Sequence, residues 1–224
     1  MFEKLKAAFT PTPRQLNFDP RCFRDPVAVH THWYPAASGG TNFRTRCLKA
    51  ISSDCLAFKP SLGAMLFALI FGLIGGALFL FMLVVLILSG KPSAEILLPM
   101  LFGVLFAGGG GLIWRHMTKP IVFDRARGSF WVGHGASEQN LPLQQIHALQ
   151  MVSEFCTSRS SSFDDDHSRS SSYYSYELNL ILPNGQRINV IDHGNYNALR
   201  EDAETLASFL KRPLWDACGA TLNQ

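Results

Sequence analysis

Three short groups of residues in this 224-residue chain carry side chains that could do chemistry. His30 and His32 stand two apart, a spacing that places both imidazoles on one face of an extended strand, within reach of one metal ion. No carboxylate or third imidazole adjoins them, so two surface side chains is the reading they favour. Asp164, Asp165, Asp166 and His167 offer ligands for a divalent cation, but the serines around them point to a solvated loop. Asp192-His193-Gly194-Asn195 leads from an alternating apolar stretch into an amphipathic one, where free backbone N–H groups could meet an anion. A helix-capping turn accounts for the same four residues. An enzyme would need His30, His32, Asp192 and His193 to converge. The nucleophile elbow, the phosphate loop and the dinucleotide fingerprint are absent from the sequence, so the expectation is a chain with no catalytic residues, no metal and no cofactor.

The elements that must position these groups hang from one stretch. Residues 62–88 contain no charge and four glycines among Leu, Ile, Val, Phe, Met and Ala, and a second apolar run covers 96–114. Each is long enough for a bilayer core of ~30 Å, which needs about 20 apolar residues. Pro99 is expected in the first turn of the second helix, where a missing N–H costs little. Gly72 and Gly76, and Gly103, Ala107 and Gly111, supply small-xxx-small strips for packing the two helices together or for a homodimer, and the glycines at 108–111 could loosen the second helix. No ionisable residue lies inside either run, which argues against an ion or proton pathway.

Charge then orients the hairpin. Residues 1–61 hold nine Lys and Arg against four acidic residues, Arg115 and Lys119 follow the second run, and the turn between the runs holds Lys91. By the positive-inside rule both termini are cytoplasmic. A net charge of +3 with no basic stripe excludes nucleic acid as a partner. Cys22, Cys47, Cys55, Cys156 and Cys218 are scattered without a Cys-x-x-Cys pair and read as reduced thiols. No removable signal peptide is expected at the N-terminus; the first run would act as its own insertion signal.

The flanks read as a split sheet. Residues 1–26 form a flexible, proline-interrupted segment in which Phe2, Leu5 and Phe9 could make a short surface helix. Residues 27–60 give three strands, at 27–34, 43–51 and 55–59, ahead of the hairpin at 61–116 (spans 62–88 and 96–114). Residues 117–216 continue with strands at 121–123, 129–132, 146–155, 174–182 and 187–191. Tyr176, Leu178, Leu180 and Leu182 face one way there, and Glu177 and Asn179 the other. Asn184-Gly185 signals a hairpin. Residues 157–172 read as a mobile Ser/Asp-rich loop. Asn195 caps a helix over 195–211 with Leu199, Ala203, Leu206 and Leu210 on one stripe, and 217–224 is a tail.

The stretches Asn42-Phe43-Arg44-Thr45, Pro120-Ile121-Val122-Phe123-Asp124, Gln145-Ile146-His147-Ala148-Leu149-Gln150 and Tyr176-Glu177-Leu178-Asn179-Leu180 resemble an uncharacterised proteobacterial family of two-span inner-membrane proteins. In outline the chain is also similar to two-span chloroplast photosystem assembly proteins. The resemblance covers about residues 27–216 and implies an α+β membrane protein. Its fold would be a two-helix transmembrane hairpin inserted in a pleckstrin-homology-like antiparallel sheet or partial barrel, closed by a C-terminal amphipathic helix. The function expected is a non-enzymatic interaction protein of the bacterial inner membrane, an assembly factor, scaffold or regulator that binds a protein partner. Alternatives are an immunity protein against a membrane-acting toxin, or a lipid-headgroup module using Arg44, Arg46, Lys49, Arg115 and Lys119.

Overall fold

Two helices turn the chain back on itself. In the computed structural model, which describes residues 18–37, 39–133, 140–159 and 170–218, Leu62–Ser89 and Ala94–Met117 form long apolar helices. We number the elements in chain order: α1 is Pro26–His30 and these two are α2 and α3. At 1.5 Å per residue their 28 and 24 residues extend ~42 and ~36 Å, enough by length and composition to cross a membrane. Their outward side chains are bare: Leu88 is 82% exposed and Leu112 71%. Ser61 starts α2 by accepting from Ala64 N–H at 3.1 Å, and Gly90 ends it at φ 63°. Because α3 begins at Ala94, Pro99 falls inside the helix rather than in its first turn, so it removes an intrahelical bond. The glycines at 108–111 do not interrupt α3.

Close backbone approach holds the pair together. A Cβ built on Gly75 would overlap Ala107 N and stand 2.7 Å from Gly103 O; one on Gly103 would stand 2.8 Å from Phe79 N; one on Gly110 would stand 2.6 Å from Gly72 N. Of the five residues expected to pack, Gly103 is in the contact, and Ala107 and Gly72 lend it their backbones. A Cβ on Gly72, Gly76 or Gly111 would meet nothing within 4 Å. Phe71 and Phe106 stack beside the contact at 5.5 Å.

The hairpin belongs to a compact unit, Arg44–Leu143. Before it run β1 (Arg46–Ser52) and β2 (Cys55–Pro60), and after it β3 (Ile121–Asp124), β4 (Ser129–Val132) and β5 (Asn140–Pro142). They form one antiparallel sheet in sequence order. β2 pairs with β3 across the hairpin, Leu56 with Phe123 and Phe58 with Ile121, so the two flanks do join. Phe58, Phe123 and Phe130 fill its core.

The second unit comprises the residues up to Phe43 and those from Gln144 onward. Its sheet holds β6 (Ala148–Arg159), β7 (Ser170–Ile181), β8 (Arg187–His193) and β9 (Leu214–Asp216) in the order β8-β7-β6-β9. β9, which the sequence reading did not anticipate, runs parallel to β6. Helix α4 (Tyr196–Leu210) packs on β6, β7 and β9 through Leu199, Ala203 and Leu206, with Arg200, Glu201 and Glu204 outside. The described strands thus make two separate sheets with no closed barrel, where one bent sheet was expected. A 3₁₀ turn at Leu143–Gln145 breaks the run between them.

Two further expectations change at the N-terminal side. Residues 27–34 are not a strand: Asp25 accepts from Val27 N–H at 2.9 Å and Pro26 opens α1, a cap-and-proline start that outweighs the alternating pattern. That leaves two strands ahead of the hairpin, not three. Within the segment expected to be flexible, Pro20–Phe23 forms a 3₁₀ turn, and Phe18 and Phe23 pack on Trp33 at 4.9 and 5.2 Å. Of the loop expected at 157–172, residues 157–159 and 170–172 instead extend β6 and β7 as a paired ribbon; its positions 160–169, the expected helix at residues 2–9 and residues 219–224 of the tail lie outside the described residues.

Replacing Gly75 or Gly103 by Ala is expected to cost on the order of 1–3 kcal/mol, since backbone must move. Gly76→Ala, in open space, should be neutral or gain up to ~1 kcal/mol from helix propensity. Thermal unfolding of the full chain in mild detergent separates the two classes; equal effects at positions 75 and 76 would contradict this packing.

Candidate functional site

Strand alternation and register gather the polar side chains of the second unit on one face of its sheet. Gln150 pairs with Asn179, Val152 with Glu177 and Glu154 with Ser175, and Asp192 stands opposite Glu177. Gln150, Glu177 and Asn179 are buried, and buried polar groups need partners. The partners come from the chain between His32 and Phe43, which crosses this face as a strap. The Glu177 carboxylate accepts from Ala36 N–H at 2.9 Å and Ala37 N–H at 3.0 Å, and from the Asn179 amide. Glu154 accepts from Gly39 and Gly40 N–H at 3.2 and 3.1 Å. Gln150 donates to His32 O at 3.0 Å and the Tyr173 hydroxyl to Gly40 O at 2.8 Å. Arg187 donates to Tyr34 O and lies 5.1 Å from that ring's centroid. Thr41 donates its hydroxyl to Asp192 O, and Gly194 N–H to Phe43 O, both at 3.3 Å. A side chain at position 40 would strike Ser175, whose Cβ would stand 2.6 Å from the added carbon. Sheet side chains therefore do for the strap what a neighbouring strand would do, and the carboxylate bonds are the strong, charge-assisted kind.

This arrangement crowds negative charge. Burial pushes the Asp192 carboxyl up to about 6; Glu177 and Glu154 add to that rise, while the Asn189 amide, donating at 3.0 Å, opposes it. Like charges directly opposite across a strand pair are unfavourable, and Asp192 carries the cost. Burial lowers the Arg187 guanidinium, and Glu177 partly restores it. Among the described residues no three His, Cys, Asp or Glu side chains are placed to hold one metal ion.

The four groups whose convergence an enzyme would require are not brought together. His30 is exposed at the end of α1, His32 is exposed with its ring 5.1 Å from Tyr34, and they share no strand face. Asp192 and His193 are neighbours on β8 and point to opposite faces. His193 Nδ1 accepts from Asn195 N–H at 3.2 Å, and the Asn195 side chain accepts from Ala198 N–H at 3.0 Å, so this stretch is a capping turn for α4. Asp164–His167 lie outside the described residues. Sequence reasoning missed the pair His147–Asp25, 2.8 Å apart, in which Asp25 also caps α1; the Asp-Pro step at 25–26 was the available signal. All five cysteines are unbridged thiols.

In the hairpin unit the five cations proposed for headgroups divide by role. Arg46 donates to His116 O at 3.3 Å, a carbonyl in the last turn of α3, and to Lys119 O at 2.7 Å just beyond the helix. Arg44 donates through Nε to Arg46 O at 3.2 Å, and its carbonyl accepts from the Ser61 hydroxyl at 2.6 Å. Arg115 is exposed in the last turn of α3 and Lys119 is half-buried just after it. Lys49 is exposed three residues along β1 from Arg46, about 10 Å away at strand rise. In comparisons with known proteins the chain matches no family model, no curated protein and no solved structure.

Because folding raises the Asp192 pKa from 3.8 to about 6, the folded state holds the extra proton between those values. Stability is then greatest below pH ~4 as far as this group is concerned, falls as pH rises toward 6, and is flat above, by at most ~3 kcal/mol. Asp192→Asn, whose side-chain oxygen can still accept from Asn189, should remove that fall and raise the melting temperature at pH 7.5. Melting curves at pH 4.5 and 7.5 measure it; a variant with the parent's pH slope would exclude Asp192 as the source.

Proposed function

We propose that this chain is a non-enzymatic, membrane-anchored interaction protein of a bacterial inner membrane, with α2 and α3 spanning the bilayer and both flanks cytoplasmic. The observation that carries the reading is the bare apolar surface of the helix pair: two helices of bilayer length whose large side chains are mostly exposed. Lys59, Arg115 and Lys119 at one end of the pair, against Lys91 beside Glu95 at the other, favour the cytoplasmic placement of the sheets. The finer, pleckstrin-homology-like reading draws support from element order: an antiparallel meander β1 to β5, a second antiparallel meander β6 to β8, then α4.

For the partner-binding element we assign the β6–β7 ribbon. β8 reaches along β7 as far as Tyr176, and β9 along β6 only from Leu149 to Met151. Beyond those points the two strands continue paired to Arg159 and Ser170, with no third strand among the described residues. Phe155, 45% exposed, meets Tyr174 edge-on at 5.1 Å there and gives the ribbon an apolar contact. Such an aromatic on a rigid ribbon suits docking to a protein groove.

Reporters fused at the two ends should report the same side of the bilayer. A photo-crosslinking residue placed at Phe155 in the full chain in native membranes should yield one discrete adduct, absent when the same residue replaces Lys49. Opposite-side reporters would remove the anchored reading, and the absence of any adduct from Phe155 or Tyr174 would remove the ribbon assignment.

A further inference from the structure

We propose that the end of the hairpin tied to the sheet is an anionic-phospholipid site, with Lys59 and Arg115 as the headgroup contacts and Arg46 as the strut that makes the site possible. The proposal rests on the membrane reading above and adds a ligand to it. Residues 44–46 bracket both helices. Arg44 O and Thr45 O accept from the Ser61 side chain and N–H, at 2.6 and 2.8 Å, at the start of α2, while the Arg46 guanidinium grips His116 O and Lys119 O at the end of α3. Cys47 pairs with Lys59 in the same stretch of sheet, and Arg115 and Trp114 occupy the last turn of α3. The cations are thus held at the level of the helix ends, where a phosphate plane would lie, with Trp114 as an interfacial aromatic.

Charge in this unit is sorted along its length. The described acidic residues are Asp54, Asp124 and Glu95. Asp54 pairs with Arg125 at 3.0 Å and Asp124 with Arg127 at 3.6 Å at the far end of β2 and β3, and Glu95 sits at the opposite end of the helices. None of these three stands at the bracketed end. A helix C-terminus would by itself repel an anion; Arg46 donates to His116 O in the last turn and to Lys119 O just beyond it, which reduces that repulsion. Lys59 and Arg115 are exposed and make no ion pair among the described residues, so their charges face outward. Lys49 is displaced along β1 and is excluded from the site.

The test uses the full chain reconstituted in nanodiscs containing equal phosphatidylglycerol and phosphatidylcholine, with lipid retained on extraction into detergent measured by mass spectrometry. The parent chain should retain phosphatidylglycerol in excess. The excess should fall on the order of five-fold with Lys59→Gln or Arg115→Gln and vanish in the double variant. Lys49→Gln should leave it unchanged. Retention with no lipid preference, a preference untouched by the double variant, or one abolished by millimolar inorganic phosphate would each overturn the lipid assignment alone. Release of the chain from native membranes by alkaline carbonate would overturn the membrane reading and this one with it.

Discussion

The structure depends on how closely two helix backbones can approach. At Gly75 and Gly103 there is no room for a β-carbon between α2 and α3, and that contact makes residues 62–117 a tight U-turn. Its geometric consequence appears at β2 and β3, which lie more than sixty positions apart in sequence and still pair in register over four residues. A loop of that length closed by disordered chain would carry an entropy cost rising with the logarithm of its length. Two rigid rods joined by a short turn reduce it, because their ends are already side by side.

The same closure is used twice. Just outside the hairpin, β1 and β2 join β3 to β5; further out, the residues from Phe18 to Phe43 cover the sheet made by β6 to β9. Each unit is therefore built from chain on both sides of the helices. Aromatic residues anchor the outer closure: Phe18, Phe23, Trp33 and Trp215 stack over Val152 and Ile181, and the strap then continues across the polar half of the face.

Sequence reasoning succeeds where one periodicity has one cause. The long uncharged runs, the alternation in β7, the Asn184-Gly185 turn and the Asn195 cap all stand where the pattern put them. It fails where two patterns overlap. Residues 27–34 alternate like a strand, yet Asp25-Pro26 starts a helix; Ala28 within it and Trp33 beyond it are buried, while Val29 is exposed. For the helix contact it succeeds in part: Gly103 and the backbones of Ala107 and Gly72 are in it, while Gly75 takes the close approach in place of Gly76, about 100° around the helix. No local pattern could have identified the strap, because its backbone bonds go to side chains more than a hundred residues distant.

Why the strap is held by carboxylates follows from what a strap needs. Irregular chain lying on a sheet presents N–H groups that no strand faces, and each must be satisfied. A glutamate on the sheet accepts from two successive N–H groups at once, as Glu177 does for Ala36 and Ala37 and Glu154 for Gly39 and Gly40. An amide side chain has one acceptor oxygen and would turn donors toward the second N–H. Two such carboxylates on adjacent strands leave a third acid nearby with its charge opposed, and Asp192, facing Glu177 across the pair, is that acid. Burial is the main cause of its raised pKa, and the carboxylates that tie the irregular segment down add to it.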